Sequence, residues 1–164
     1  MNEKALRILE YNKIIEKLMD YATSPLGKDM CKKLLPTADL GEICQSQMET
    51  SDALSRIYAK GSLSFSGLRD IRDSLLRLKV GSSLSVTELM HIASLLETAL
   101  RAKSYGRRET DDMNTDSLDG LFNAIEPLSP VCREIRRCIL SEEEIADDAS
   151  PGLKHVRRSI KLTN

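Results

Sequence analysis

The stretch Ser85-Val86-Thr87-Glu88-Leu89-Met90-His91-Ile92-Ala93-Ser94-Leu95-Leu96-Glu97-Thr98-Ala99-Leu100 decides the fold class. Ser85 and Glu88 have the spacing of a capping box, in which each side chain satisfies the other residue's backbone N–H at a helix start. Behind that start, Val86, Leu89, Met90, Ala93, Leu96 and Leu100 recur every three or four residues, which gathers them on one side of a helix. A helix running to Tyr105-Gly106 is predicted, and it is the expected centre of the core.

The same period extends in both directions. Upstream, Leu68, Ile71, Leu75 and Leu78 form a helical face that ends at Val80-Gly81. Gly61-Ser62-Leu63-Ser64-Phe65-Ser66-Gly67 is a loop by its Gly and Ser content, with Leu63 and Phe65 expected to tuck onto the core. Asp39, followed by Glu42, opens a long and rather polar helix with Ile43, Thr50, Leu54, Ile57 and Tyr58, stopping at Lys60-Gly61. Ser24-Pro25 is an N-cap and first-turn pair, leading a stripe of Leu26, Met30 and Leu34 that ends before Pro36. Asn12 is the expected N-cap of a helix with Ile14, Ile15, Leu18, Met19 and Ala22, and Leu6 and Leu9 form a short lead-in.

Downstream, residues 106–116 read as a solvated, mobile loop whose only apolar residue is Met113. Leu118, Leu121, Phe122 and Ile125 mark a short helix, and after Pro127 and Pro130 comes another with Val131, Ile135 and Ile139. Ser150-Pro151 opens a last helix with Leu153, Val156 and Ile160 on one seam and no stop signal before residue 164. With no strand alternation and no repeat, the expectation is an all-α chain of about seven or eight amphipathic helices.

Composition agrees. The chain has 164 residues, 41% hydrophobic and 30% charged, with a formal net charge of -1, as in ordinary folded proteins. Such a balance provides no global attraction to phosphate backbones, so any nucleic-acid contact requires a local patch. No apolar run approaches the roughly 18–20 residues that span a bilayer, and the opening residues lack a signal-peptide core, so the chain is expected to be cytoplasmic. Cys31, Cys44, Cys132 and Cys138 form no C-x-x-C pair and are expected as free thiols.

Motifs that could carry chemistry fail at named positions. Gly27-Lys28 suggests a phosphate loop, but Ala22 stands at the first glycine, Asp29 at the hydroxyl, and a helix precedes in place of a strand. Asp112-x-Asn114-x-Asp116 imitates a calcium loop, but Ser117 replaces the turn glycine and Asn123 the bidentate acid. His91 and His155 lack a second ligand one helical turn away, and no G-x-S-x-G elbow is present. No catalytic, cofactor or metal residue is therefore assigned. Basic residues cluster late: Arg133, Arg136 and Arg137, then Lys154, Arg157, Arg158 and Lys161. They are candidate nucleic-acid contacts, weighed against a salt-bridged face in which Glu142, Glu143, Glu144, Asp147 and Asp148 offset them.

Three stretches, in order along the chain, resemble the second subfamily of MutS proteins, which carry a small MutS-related nuclease domain. The first is Leu9-Glu10-Tyr11-Asn12-Lys13-Ile14-Ile15-Glu16-Lys17-Leu18 with Ser24-Pro25-Leu26-Gly27-Lys28 and Leu35-Pro36. The second is Gly67-Leu68-Arg69-Asp70-Ile71-Arg72 with Gly81, Leu84-Ser85 and Glu88-Leu89. The third is Asp148-Ala149-Ser150-Pro151-Gly152-Leu153 with Val156-Arg157-Arg158. At Ser141-Glu142-Glu143-Glu144 the chain departs from the family, which usually has a glycine-containing acidic turn and a hairpin there.

The resemblance implies an amino-terminal core and lever segment: residues 1–140 helical core, 141–149 an acidic turn, 150–164 the start of a long lever helix. It implies that ATP and Mg²⁺ are used elsewhere in the longer relatives, which are homodimeric ATPases and endonucleases acting on branched or mismatched DNA or on ribosomal RNA. Their implied roles are recombination suppression or ribosome rescue. The partners it implies are the remainder of the MutS-like chain and its homodimer mate. The alternative is a free-standing helical interaction module.

Overall fold

The structure is a computed structural model and describes residues 3–107 and 116–163. Among these residues the regular elements are nine helices: α1 (Glu3–Ile8), α2 (Tyr11–Tyr21), α3 (Pro25–Lys32), α4 (Leu40–Lys60), α5 (Arg72–Lys79), α6 (Val86–Gly106), α7 (Asp119–Asn123), α8 (Ser129–Cys138) and α9 (Pro151–Thr163). The chain is all-α, with one helix more than the upper expectation because the lead-in around Leu6 is a helix of its own. Residues 108–115 of the expected polar loop, with Asp112 and Asn114 of the calcium-like motif, fall outside the described residues; at the ends of that loop, Gly106 is instead the last residue of α6 and Asp116 is drawn in by Arg56.

Local chemistry sets the helix ends. The Ser24 Oγ accepts the Gly27 N–H at 3.0 Å and the Asp39 Oδ1 accepts the Glu42 N–H at 3.0 Å, so both N-caps form as their sequences dictate. At Asp39 the box is not reciprocal, since the Asp39 N–H donates to Thr37 Oγ1 at 3.1 Å. Gly61 ends α4 with φ of 79°, a left-handed conformation that a side chain would strain. The expected cap at Asn12 is not the start of its helix. Glu10, at φ 53°, turns the chain between α1 and α2, and the Lys13 N–H donates to its carbonyl at 2.9 Å. The helix expected from Leu68 starts at Arg72, because Asp70 Oδ1 takes the Arg72 N–H at 3.0 Å and turns the backbone there.

Two compact units divide the chain: 1–69 with 101–126, and 70–100 with 127–164, α6 being shared between them after Leu100. In the first unit, α4 buries a face that hydrophobic period did not indicate. Arg56 is only 8% exposed, whereas Leu54, Ile57 and Tyr58, apolar residues of the same helix, are exposed, Tyr58 at 81%. The physical reason is a set of carboxylates at residues 116 and 119 that pull Arg56 inward.

In the second unit, α6 and α8 are joined through Ala93, Ser94 and Glu97. Ala93 and Leu96 are buried as expected, together with Ile139 and Ala146, while Leu100 is exposed. The capping box of α6 is complete: the Ser85 N–H donates to Glu88 Oε2 at 2.8 Å and the Glu88 N–H to Ser85 Oγ at 3.2 Å. At the departure from the family pattern, a one-pair hairpin forms without glycine. Ile139 bridges Ile145 in antiparallel fashion, with Ala146 N–H on the Cys138 carbonyl at 2.9 Å and Leu140 N–H on that of Glu144 at 3.0 Å.

Candidate functional site

The late basic residues divide into two groups. Arg136 extends from α8 to Glu97 of α6, with Nε to Oε1 at 2.7 Å and Nη2 to Oε2 at 3.0 Å. Arg137 grips Glu134 one turn back, at 2.6 and 3.0 Å, and donates to the carbonyls of Asp148 at 3.0 Å and Ala149 at 3.3 Å. Arg157 donates to the Ile145 carbonyl at 2.8 Å and pairs with Asp147, whose other oxygen takes Lys161 Nζ at 3.0 Å. Arg136 therefore ties α8 to α6, whereas Arg137, Arg157 and Lys161 hold α8, the hairpin and α9 together. Arg133, Lys154 and Arg158 are exposed and form no ion pair among the described residues. Lys154 and Arg158 are one helical turn apart on α9.

The acids that neutralise the locking group are Glu97, Glu134 and Asp147. Glu142, Glu143 and Glu144, expected to share in that role, stay exposed on the hairpin tip. Hydrogen bonding to Arg157, and then to Lys161, lowers the Asp147 carboxyl below its ordinary range, and Arg137 does the same for Glu134.

Sequence reading missed the cluster around Arg56. Its guanidinium meets Asp116 through Nε and Nη2, both at 2.6 Å, and Asp119 through Nη2 at 2.5 Å. It also lies over the Phe122 ring, 4.9 Å from the centroid. One turn earlier on α4, Asp52 Oδ2 accepts both the N–H and hydroxyl of Ser117, at 2.9 and 2.7 Å. Arg56 bridges the Asp116 and Asp119 carboxylates while Asp52 holds Ser117, which makes the cluster a clasp on residues 116–119. The one available signal was the i, i+4 pair Asp52 and Arg56 on a polar helix, which is indistinguishable in sequence from a solvated pair.

Other motifs take structural roles. Gly27-Lys28 lies within α3, where the Gly27 N–H is already used by the Ser24 cap. His91 is half-buried and His155 exposed, and among the described residues no three His, Cys, Asp or Glu side chains converge on a metal position. The four cysteines are free. No helix among the described residues is long and apolar enough to cross a membrane.

One concave surface stands out in the first unit. Tyr11, Ile15 and Met19 form a ridge along α2, and Leu34 and Leu35 form the facing wall after α3, around a groove of about 630 Å³. Tyr11 OH reaches the Leu34 carbonyl at 3.4 Å. A smaller cleft of about 150 Å³ lies against the Arg56 clasp, with Leu63 and Phe65 in its lining; of these two loop residues Leu63 is half-buried and Phe65 stays exposed.

No protein-family model matches the chain. Individual relatives do match, over its full extent. Endonuclease MutS2 of Lachnoclostridium phytofermentans is 60% identical over 169 residues, covering 100% of this chain and 21% of that protein. Endonuclease MutS2 of Agathobacter rectalis is 52% identical, covering 100% of this chain and 21% of that protein. The protein of the same name from Acetivibrio thermocellus is 44% identical, covering 98% and 20%. The chain spans about a fifth of the length of the curated relatives it matches. Along its entire length, then, the chain is related to the MutS2 endonucleases, the second MutS subfamily that its ordered landmarks resemble.

Proposed function

We infer that the chain works as a non-catalytic helical core and lever segment of a larger MutS-type protein. The observation that carries this reading is the full-length similarity to one fifth of proteins named as endonucleases. The helical surfaces support it. Val156 and Ile160 on α9, Leu75 and Leu78 on α5 and Met30 on α3 are exposed apolar residues at helical spacing, as expected of faces made to be covered. In this reading residues 1–140 are the core, 141–149 the acidic turn and 150–164 the first turns of the lever. Arg137, Arg157 and Asp147 then fix the direction in which the lever leaves the hairpin.

The hydrolysis of ATP with Mg²⁺, the nuclease step, the homodimer mate and the branched or mismatched DNA or ribosomal RNA all belong to the remainder of such a protein. So do recombination suppression and ribosome rescue, whereas a cytoplasmic location is proposed for this segment and the remainder alike. The test starts from the natural reading frame. Its product is expected to be about five times this length and to hydrolyse ATP. Replacing Val156 and Ile160 by Glu is expected to leave ATP binding unchanged while uncoupling hydrolysis from nucleic-acid binding. A natural protein that ends at Asn164, or a long one without nucleotide hydrolysis, overturns the reading.

A second reading, direct nucleic-acid contact, is favoured by the free charges of Arg133, Lys154 and Arg158. It calls for salt-sensitive binding that Lys154→Glu with Arg158→Glu abolishes. Unchanged binding in that double variant rules it out.

A further inference from the structure

We propose that the groove between α2 and the segment after α3 is the seat of an amphipathic helix from the remainder of the MutS2-type chain, acidic along its edge; this rests on the reading of the chain as part of a longer protein. Tyr11, Ile15 and Met19 are four residues apart, the spacing of the ridge that one helix offers to the groove of another. From Tyr11 to Met19 the ridge is about 12 Å long at 1.5 Å per residue, enough for two turns of a partner helix. The facing wall is apolar and uncovered: Leu34 is 49% and Leu35 73% exposed. Two leucines on a short turn against a helix ridge are costly to leave in water, and their burial needs an apolar occupant.

The rim sets the occupant's charge. Among the described residues lining the groove, Arg7 and Lys32 are basic and Glu16 is acidic, so the rim is net positive. Among the described residues the ion pair of Lys32 is a long, exposed one, 4.0 Å to Asp29. A helix with carboxylates beside its apolar stripe complements that rim. The source follows from length, because about four-fifths of each matched relative lies outside this segment and is tethered to it at high effective concentration.

The test uses the natural full-length chain carrying Leu35→Cys, with native Cys44, exposed on α4, as the internal reference. Thiol-labelling rates at both positions are read by mass spectrometry and normalised to the denatured chain. Position 35 is expected to react at least about tenfold more slowly than Cys44. Arg7→Glu with Lys32→Glu is expected to restore its rate. A photo-crosslinker at position 35 should then mark a helix beyond residue 164 of the same chain. Equal rates overturn the seat, as does a crosslink to a second copy. If the natural chain ends at Asn164, the broader reading and the seat fall together; if it is long and hydrolyses ATP yet labels freely at position 35, the seat alone falls.

Discussion

Gly106, the last residue of α6, lies so close to Phe122 that a Cβ on it would sit 2.3 Å from the Phe122 Cβ and 2.6 Å from its Cγ. Phe122 cannot yield freely, because its ring packs on Tyr105 at 5.8 Å between centroids and lies under Arg56. Gly106→Ala is therefore expected to cost about 1–3 kcal/mol, the usual range for forced overpacking. Gly120→Ala, where a Cβ meets nothing within 4 Å, is expected to be neutral or to stabilise α7 by up to about 1 kcal/mol. Thermal unfolding of the two variants side by side decides it. Equal melting temperatures would show that the close approach carries no constraint.

Arg56 should tolerate no simple replacement. Removing it leaves Asp116 and Asp119, both largely buried, without their shared cation, so Arg56→Ala is expected to lose about 3 kcal/mol. Arg56→Lys keeps the charge but cannot span both carboxylates with a planar fork, and should lose at least about 1 kcal/mol. Urea denaturation provides both values. A lysine variant as stable as the parent would mean that charge alone, without fork geometry, holds the clasp.

The box at the head of α6 yields a third expectation. Ser85→Ala should cost about 1 kcal/mol by leaving the Glu88 N–H without its cap. Glu88→Ala should cost more. Its carboxylate also accepts from Ser74 Oγ at 3.0 Å and Arg77 Nη1 at 2.8 Å, and so ties α5 to α6. Circular dichroism during denaturant unfolding measures both, and equal effects would deny the link between the helices.

Acidification should loosen the junction before α9. Asp147 and Glu134 are held below their ordinary values by Arg157 with Lys161 and by Arg137, respectively. A depressed carboxylate contributes stability that is fully present above its unfolded pKa, about 3.9 for Asp and 4.3 for Glu, and is lost as pH falls through the folded value. The junction is thus expected to hold at neutral pH and to open on acidification below that range. Carboxyl titration by NMR should place both midpoints below the ordinary values. Arg157→Gln should return that of Asp147 toward normal, and an unmoved midpoint would contradict the pairing.

The helices and most of their ends were legible in the sequence because a cap or a left-handed glycine acts within a few residues. Ser24 with Gly27, Ser85 with Glu88, and Gly61 at the end of α4 are satisfied by neighbours, whatever the rest of the chain does. The starts at Asn12 and Leu68 were misread where another local device, the turn at Glu10 or the Asp70 side chain, competed for the same backbone. The relatedness to MutS2 proteins was also legible, since it depends on ordered residues and not on packing.

Which faces are inward was decided only by tertiary structure. Apolar Ile57 and Tyr58 of α4 stay exposed, yet the adjacent Arg56 is buried because Asp116 and Asp119, about sixty positions away, offset its desolvation. The late arginines show the same limit. One sequence cluster contains Arg136 and Arg137, committed to acids and carbonyls, and Arg133, left to water. Charge along a chain is a one-dimensional quantity, whereas pairing depends on distance in space, and only the folded backbone brings Glu97 to Arg136 and Asp147 to Arg157.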